Sequence, residues 1–149
     1  MCASGPTWRD NTSKRIVLDN GAYMIKYSTA AEGKPQIMYN AVGKDKKTRN
    51  VYVGNKLFEE LENGHSNIQL TYPVIRGLLQ DSDIETIIWK QVFTKFKKLE
   101  ERVSCLALTI PPIMPEIVQA RFAEVAFEDF EFDALLMSST HSMIREAAM

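Results

Sequence analysis

The 149-residue chain holds only two cysteines, Cys2 and Cys105, and only two histidines, His65 and His141. So few cysteines cannot form the disulfide framework that staples small secreted domains, which favours a reducing compartment. Cys105, inside VSCLALTI, reads as a small buried hydrophobe. No zinc or metalloprotease spacing can be drawn from the two isolated histidines. No apolar run approaches the ~18 residues of a membrane span. The opening MCASGPTWRDNTSKR lacks the apolar stretch of a secretory signal, and its small and polar residues predict a disordered extension over residues 1–14. Excess charge is missing as well. A formal net charge of −1 argues against nucleic-acid binding driven by overall charge, though not against a local basic patch. Neither a GxxxxGK[ST] phosphate loop nor a GxGxxG dinucleotide fingerprint occurs.

What is present begins with IVLDNGAYMIKY, residues 16–27. Two short β-rich runs flank Asp19-Asn20-Gly21, and Asn-Gly tolerates the positive φ of a type I′ hairpin. QIMYNAV predicts a third strand, completing a meander. GKDKKTRN reads as a solvated basic turn before the strand VYVG. KLFEELENG predicts a short helix ended by Asn63-Gly64, and IQLTYPVIRG is extended, because Pro73 disfavours helix at Tyr72. A longer helix opens near Ser82, with Ser82 and Glu85 in a capping-box pattern. Ile84, Ile87, Ile88, Val92, Phe96 and Leu99 form its apolar stripe, and Trp89 packs at the border. RVSCLALTI predicts a strand buried on both faces and ended by Pro111-Pro112. EIVQARFAEVAFEDF predicts a helix burying Val118, Phe122, Val125 and Phe130, with Pro115 in its first turn. EFDALLM is a further strand, and Ser138 or Ser139 would cap a last helix. The later half alternates strand and helix, so the class is α/β with a mixed sheet and flanking helices. Asp129, Glu131, Glu100 and Glu101 read as solvated charges, His65 as an exposed loop residue and His141 as a capping or packing residue.

Only the first turn combines residue types that suggest a site. Gly21 and Ala22 let backbone N–H groups approach an anion without side-chain collision. Asp19 can orient a water on a divalent cation, and Lys26 supplies a point charge for phosphate. A hairpin with flanking charges also forms with no ligand at all, and that reading stays open.

Four stretches in order carry a resemblance. IVLDNGAYMIKY resembles the first phosphate loop of the actin fold, and VYVGN the short strand that precedes its smaller outer subdomain. IQLTYPVIRGLLQDSDIETIIWKQVF and ALTIPPIMPEIVQARFAEVAFEDF resemble an actin strand-to-helix passage and a proline-turn helix. The likeness covers about residues 15–137, and LDNGAY and FEDFEFDALL are most similar to the actin-related protein 6 branch. It implies an incomplete actin-like (ribonuclease H-like) core over 15–42 and 70–149, with a reduced small subdomain inserted at 43–69. It also implies a nuclear subunit of chromatin remodelling machinery that exchanges a histone variant, with fellow subunits as partners and nucleosomes reached indirectly. A cytoplasmic or cytoskeletal actin-like ATPase is the alternative.

Carried over by residue, Asp19 would hold a magnesium ion's water shell, Gly21, Ala22, Tyr23 and Met24 would line the ATP phosphates, and Lys26 would contact them. The family's serine is Ala22 here, its next glycine is Tyr23, and the glutamine that positions the attacking water falls at Thr140. These substitutions weigh against ATPase activity. The short stretch between Val42 and Val51 weighs against filament formation. An actin-fold chain is more than twice as long as this one, so its nucleotide cleft has one wall here. ATP with magnesium is then expected only for a full-length form, and none for this chain alone.

Overall fold

The computed structural model describes residues 15–29, 34–97, 105–139 and 142. The extension predicted at 1–14, Cys2, Leu99, Glu100, Glu101, Thr140, His141 and most of the expected last helix lie outside the described residues. In chain order the elements are β1 (Arg15–Asn20), β2 (Met24–Thr29), β3 (Gln36–Tyr39), β4 (Val42–Asp45), β5 (Val51–Val53) and α1 (Asn55–Glu62). Next come β6 (Ile68–Thr71), β7 (Val74–Ile75), β8 (Leu78–Leu79), α2 (Ser82–Lys97), β9 (Cys105–Ile110) and α3 (Glu116–Glu124). A π-helical turn (Val125–Asp129) and β10 (Ala134–Ser139) complete the order.

Five strands form a mixed sheet in the order β10-β9-β1-β2-β3. The meander β1-β2-β3 is antiparallel, and β9 and β10 run parallel to β1. Strand alternation sends Ile16, Leu18, Ile25, Tyr27, Leu106 and Leu108 to one face, where each is at most 1% exposed. Helix α2 lies on that face, with the Phe96 ring edge-on to Tyr27 at 5.9 Å. Trp89 is wholly buried and stacks on Phe122 of α3 at 6.0 Å, so both helices share one core. The opposite face is open: Val17 is 38% exposed, Ile37 52% and Leu136 56%. The strand RVSCLALTI is therefore fully buried on one face only, and Cys105 is half-buried rather than buried.

A second sheet, β5-β4-β6, carries α1 against it, with Leu57 fully buried. QIMYNAV does not make one strand: Asn40 and Ala41 interrupt it, and β4 belongs to this second sheet. Gly54 caps α1 at φ +59, and a Cβ there would meet the Met38 side chain at 2.6 Å. Asn55 ties the two sheets together, its Oδ1 accepting from Tyr39 N at 3.2 Å. The basic turn is closed by Asp45, whose Oδ1 accepts from the amides of Lys47 at 2.7 Å and Thr48 at 3.0 Å.

Several local expectations are corrected. The type I′ signature falls not at Asn20-Gly21 but at Arg76-Gly77, where φ is +53 and +78. That two-residue turn joins β7 to β8 inside a stretch expected to be simply extended. Asp81, not Ser82, caps α2, its Oδ1 accepting from Ile84 N at 3.0 Å, and Glu85 is wholly buried instead of reaching back to a cap. The buried residues of α2 are Glu85, Thr86, Ile88, Trp89, Val92, Phe93 and Phe96, one step round from the expected set, which leaves Ile87 38% exposed. The helix at 116–130 widens into a π turn after Glu124, and Val125 and Ala126 are buried in it. Ser138 and Ser139 belong to β10, and Ser139 Oγ accepts from Ser142 N at 3.3 Å.

Candidate phosphate-loop site

The loop between β1 and β2 stands at the end of the sheet where parallel β1, β9 and β10 finish, the end at which open α/β sheets receive ligands. Its three residues, 21–23, join the two strands, whose last mutual pair is Asn20 and Ile25. Neither Asn20 nor Gly21 has positive φ. Asn20 stays in the strand because its side chain is held from below: the Trp89 Nε1–H donates to Asn20 Oδ1 at 3.3 Å. Gly21 is needed for closeness, since a Cβ there would stand 2.5 Å from the Met24 carbonyl oxygen. Asn40, wholly buried, fastens the loop from behind. Its Nδ2 donates to Gly21 O at 3.0 Å and its backbone N to Tyr23 O at 2.9 Å. Two loop carbonyls are thus engaged on the buried side, away from an approaching anion.

On the open face the register aligns a polar row: Ser138 beside Thr109, Thr109 beside Asp19, Asp19 beside Lys26. The Thr109 hydroxyl donates to Asp19 Oδ1 at 2.6 Å, and Lys26 Nζ lies 3.7 Å from Asp19 Oδ2. Both charged side chains remain wet, 54% exposed for Lys26 and 42% for Asp19. Asp19 and Lys26 are therefore brought together. Ala22 packs half-buried against the core, and Met24 pairs with Tyr39 inside the sheet. Tyr23 projects, 53% exposed, edge-on to Tyr39 at 5.4 Å and to Phe58 at 6.4 Å, while Tyr39 and Phe58 stack at 3.8 Å.

Chemically, one carboxylate steadied by a hydroxyl can order water or the water shell of a hard cation, and one ammonium can meet an anion. Among the described residues no group of three His, Cys, Asp or Glu could grip a bare metal ion. The donors present fit one wall of a phosphate site: an acid, an amine, a hydroxyl and a tight loop. A surface depression lined by Asn50, Val51, Tyr52, Lys56, Glu59 and Glu60 lies at the second sheet, not at this loop. His65 also lies apart, its Nδ1 2.7 Å from Glu60 Oε2. Asp129 accepts from the Thr86 hydroxyl at 3.0 Å, so it is tied to α2 although exposed.

Three residues of this region escape a reading of the sequence. Thr109 carries a signal only as a polar residue closing an apolar strand. Asn40 offers none, since an Asn after a strand usually marks a turn. Glu85 lies four before Trp89 and three before Ile88, and so falls on the apolar stripe. It is surrounded by Asn20, Asn40 and Trp89, and burial pushes its carboxyl up to about 7 while those three side chains oppose the shift.

The family model described as Actin matches residues 10–144. Actin-related protein 2 of Schizosaccharomyces pombe is 28% identical over 133 residues, covering 85% of this chain and 34% of that protein. Actin-related protein 6 of Arabidopsis thaliana is 30% identical over 136 residues, covering 89% of this chain and 32% of that protein. Actin-like protein ARP6 of Cryptococcus neoformans is 27% identical, covering 87% and 26%. The chain thus spans a quarter to a third of the length of these curated relatives. The crystal structure of MreB5 of Spiroplasma citri bound to ADP superposes with a TM-score of 0.69 at 16% identity, over 84% of this chain and 37% of that one.

Proposed function

The chain belongs to the actin family, and on that premise we propose that it is a non-catalytic actin-related subunit of a nuclear chromatin-remodelling complex, its phosphate loop kept as structure rather than for turnover. The observation that carries the reading is the state of the loop. Tyr23 stands exposed on it, Ala22 packs half-buried against the core, and the paired Asp19 and Lys26 are open to water. The likeness to actin-related protein 6 of two organisms supports the chromatin branch. The tight connection between β4 and β5, residues 46–50, supports a subunit that does not polymerise.

Magnitudes favour a weak site in this chain. An exposed ammonium–phosphate contact contributes about 1 kcal/mol at the dielectric of water, and each loop hydrogen bond about 1 kcal/mol. Three such contacts fall short of the ~4 kcal/mol that corresponds to a millimolar dissociation constant. In a full-length form, with a second wall excluding water, Asp19 would steady magnesium's water shell and Lys26 the phosphates. Bound magnesium would screen phosphate charge there, and the chain's own residues would orient and hold.

Calorimetric titration of MgATP and a phosphate-release assay test the reading on this chain and on a full-length form. The expected results are a Kd weaker than about 1 mM for the chain and no turnover for either. Hydrolysis abolished by Asp19→Ala would overturn the scaffold reading. Retrieval of the intact protein from nuclear extract with remodeller subunits supports the assignment, and a purely cytosolic partner set opposes it. The ADP-bound neighbour keeps a second reading, a nucleotide-binding cytoskeletal relative, as the alternative those same measurements address.

A further inference from the structure

Behind the loop, on the covered face of the sheet, lies a polar cluster that phosphate binding does not use. Among the described residues, Asn20 Nδ2, Asn40 Oδ1 and both carboxyl oxygens of Glu85 are buried side-chain atoms without a hydrogen-bond partner. The side chains facing Glu85 are Asn20 from β1, Asn40 from the segment after β3 and Trp89 from α2 itself, and none of them carries charge. Asp19 and Lys26 alternate to the other face of the sheet.

The polarity of each amide is fixed by a partner that cannot reverse. Asn40 Nδ2 faces the Gly21 carbonyl, which only accepts. Asn20 Oδ1 faces the Trp89 indole N–H, which only donates. The buried atoms left unpartnered beside the Glu85 carboxyl are one amide donor, Asn20 Nδ2, and one amide acceptor, Asn40 Oδ1. A carboxylate offers acceptors alone and leaves Asn40 Oδ1 opposed by another acceptor. A carboxylic acid offers one O–H and one C=O, and two bonds then satisfy all four atoms.

We propose that Glu85 is a positioning residue of the 20–23 loop, which it holds as a neutral acid by donating to Asn40 Oδ1 and accepting from Asn20 Nδ2. Asn40 binds Gly21 and Tyr23, and Asn20 begins the turn, so the bridge sets where the loop backbone stands. Removal of the proton leaves a buried charge between two amides and loosens both ends of the loop. Burial, the largest influence on this carboxyl, brings the transition to about 7, so the loop has a pH-gated state near neutrality.

The test is NMR on the full 149-residue chain, with Trp8→Phe leaving the Trp89 indole as the single indole signal. Between about pH 5 and about pH 9, the Trp89 Nε1–H and the amides of residues 21–23 are expected to titrate together with a midpoint near 7. Gln is the isostere of the neutral acid, one N–H donor and one C=O acceptor. Glu85→Gln should therefore hold these signals at their acid-side positions throughout, whereas Glu85→Leu should not. Signals that stay fixed in the wild type, or that titrate unchanged in Glu85→Gln, overturn the proposal. Should Glu85→Gln fail to fold, the side-chain carboxyl 13C shift of Glu85 in the wild type decides. Protonation persisting to near neutrality supports the bridge, and ionisation throughout the range refutes it.

Discussion

The two faces of the five-stranded sheet divide the molecule's labour. One face buries Ile16, Leu18, Ile25, Tyr27, Leu106 and Leu108 beneath α2 and α3. The other alternates from the same strands and presents Val17, Ile37 and Leu136 to solvent beside Asp19, Lys26 and Thr109. Adjacent residues of one strand thus differ completely in what they contribute. The covered face supplies the hydrophobic free energy that holds the chain together. The open face holds the polar row but little of that free energy. In relatives about two and a half to three and a half times as long, there is chain enough for a second wall; among the described residues here no such wall stands over that face.

The largest effects should follow from breaking the covered face. Trp89→Ala removes a wholly buried ring that stacks on Phe122 and orients Asn20, and should cost about 4 kcal/mol in denaturant unfolding. Leu18→Ala should cost about 3 kcal/mol. Its neighbour Val17→Ala, on the open face, should cost less than about 1 kcal/mol, because part of that side chain is already in water. Equal losses at positions 17 and 18 would mean that the second face is covered in solution.

The next effect concerns the polar group on the covered face. The carboxyl of Glu85 is raised from an ordinary 4.5 to about 7 in the folded protein. A raised acid stabilises the fold fully below 4.5 and loses that contribution as pH climbs to about 7, because the folded state holds the proton longer. The wild type should therefore weaken by about 3 kcal/mol across that window, and Glu85→Gln should remove this slope. Unfolding curves at pH 4.5 and 8 in both proteins, with other titrations common to both, isolate the difference.

Residues 82–97 also show how far the sequence could be read. Apolar periodicity announced a helix and its length, because seven large side chains recur at helical steps. It misplaced the centre of the stripe, since isoleucines at 84 and 87 broaden the apolar arc and periodicity alone cannot rank them. Trp89 and Phe93 decide that centre by volume, and Glu85 rides in with them. The Asn20-Gly21 pair was misread for a related reason. Local turn propensity competes with a tertiary bond, and the Trp89 indole 69 residues away wins. The juxtaposition of Asp19 and Lys26 was legible, because a hairpin register is local. Thr109 joins them across 90 residues, a pairing no local rule could supply.

A smaller effect should come from the loop tip. Tyr23→Ser removes an exposed ring whose neighbours are Tyr39 and Phe58, the latter on α1 of the second sheet. Edge-on aromatic contacts contribute roughly 0.5–1.5 kcal/mol beyond area, and the half-wet position puts this one near the low end. A loss of about 1 kcal/mol, with backbone amides of residues 55–62 shifted in NMR spectra, would mark the ring as a tie between the loop and the second sheet. A loss too small to measure, with α1 unperturbed, would leave Tyr23 as a decoration of the open face.

The smallest effect belongs to the charged pair itself. Asp19 and Lys26 oppose each other across β1 and β2, 3.7 Å apart, with both side chains near half exposure. Solvent screening holds such pairs to about 0.2–1 kcal/mol, so a double-mutant cycle with Asp19→Asn and Lys26→Met should return a coupling under about 1 kcal/mol. That coupling should shrink further in 1 M salt, where the screening length falls to about 3 Å. Thr109→Val should cost more than the pair coupling, because it strips Asp19 of a 2.6 Å hydrogen bond to a charged acceptor. A salt-insensitive coupling above about 2 kcal/mol would require the pair to be dry, and only a second wall over the open face could make it so.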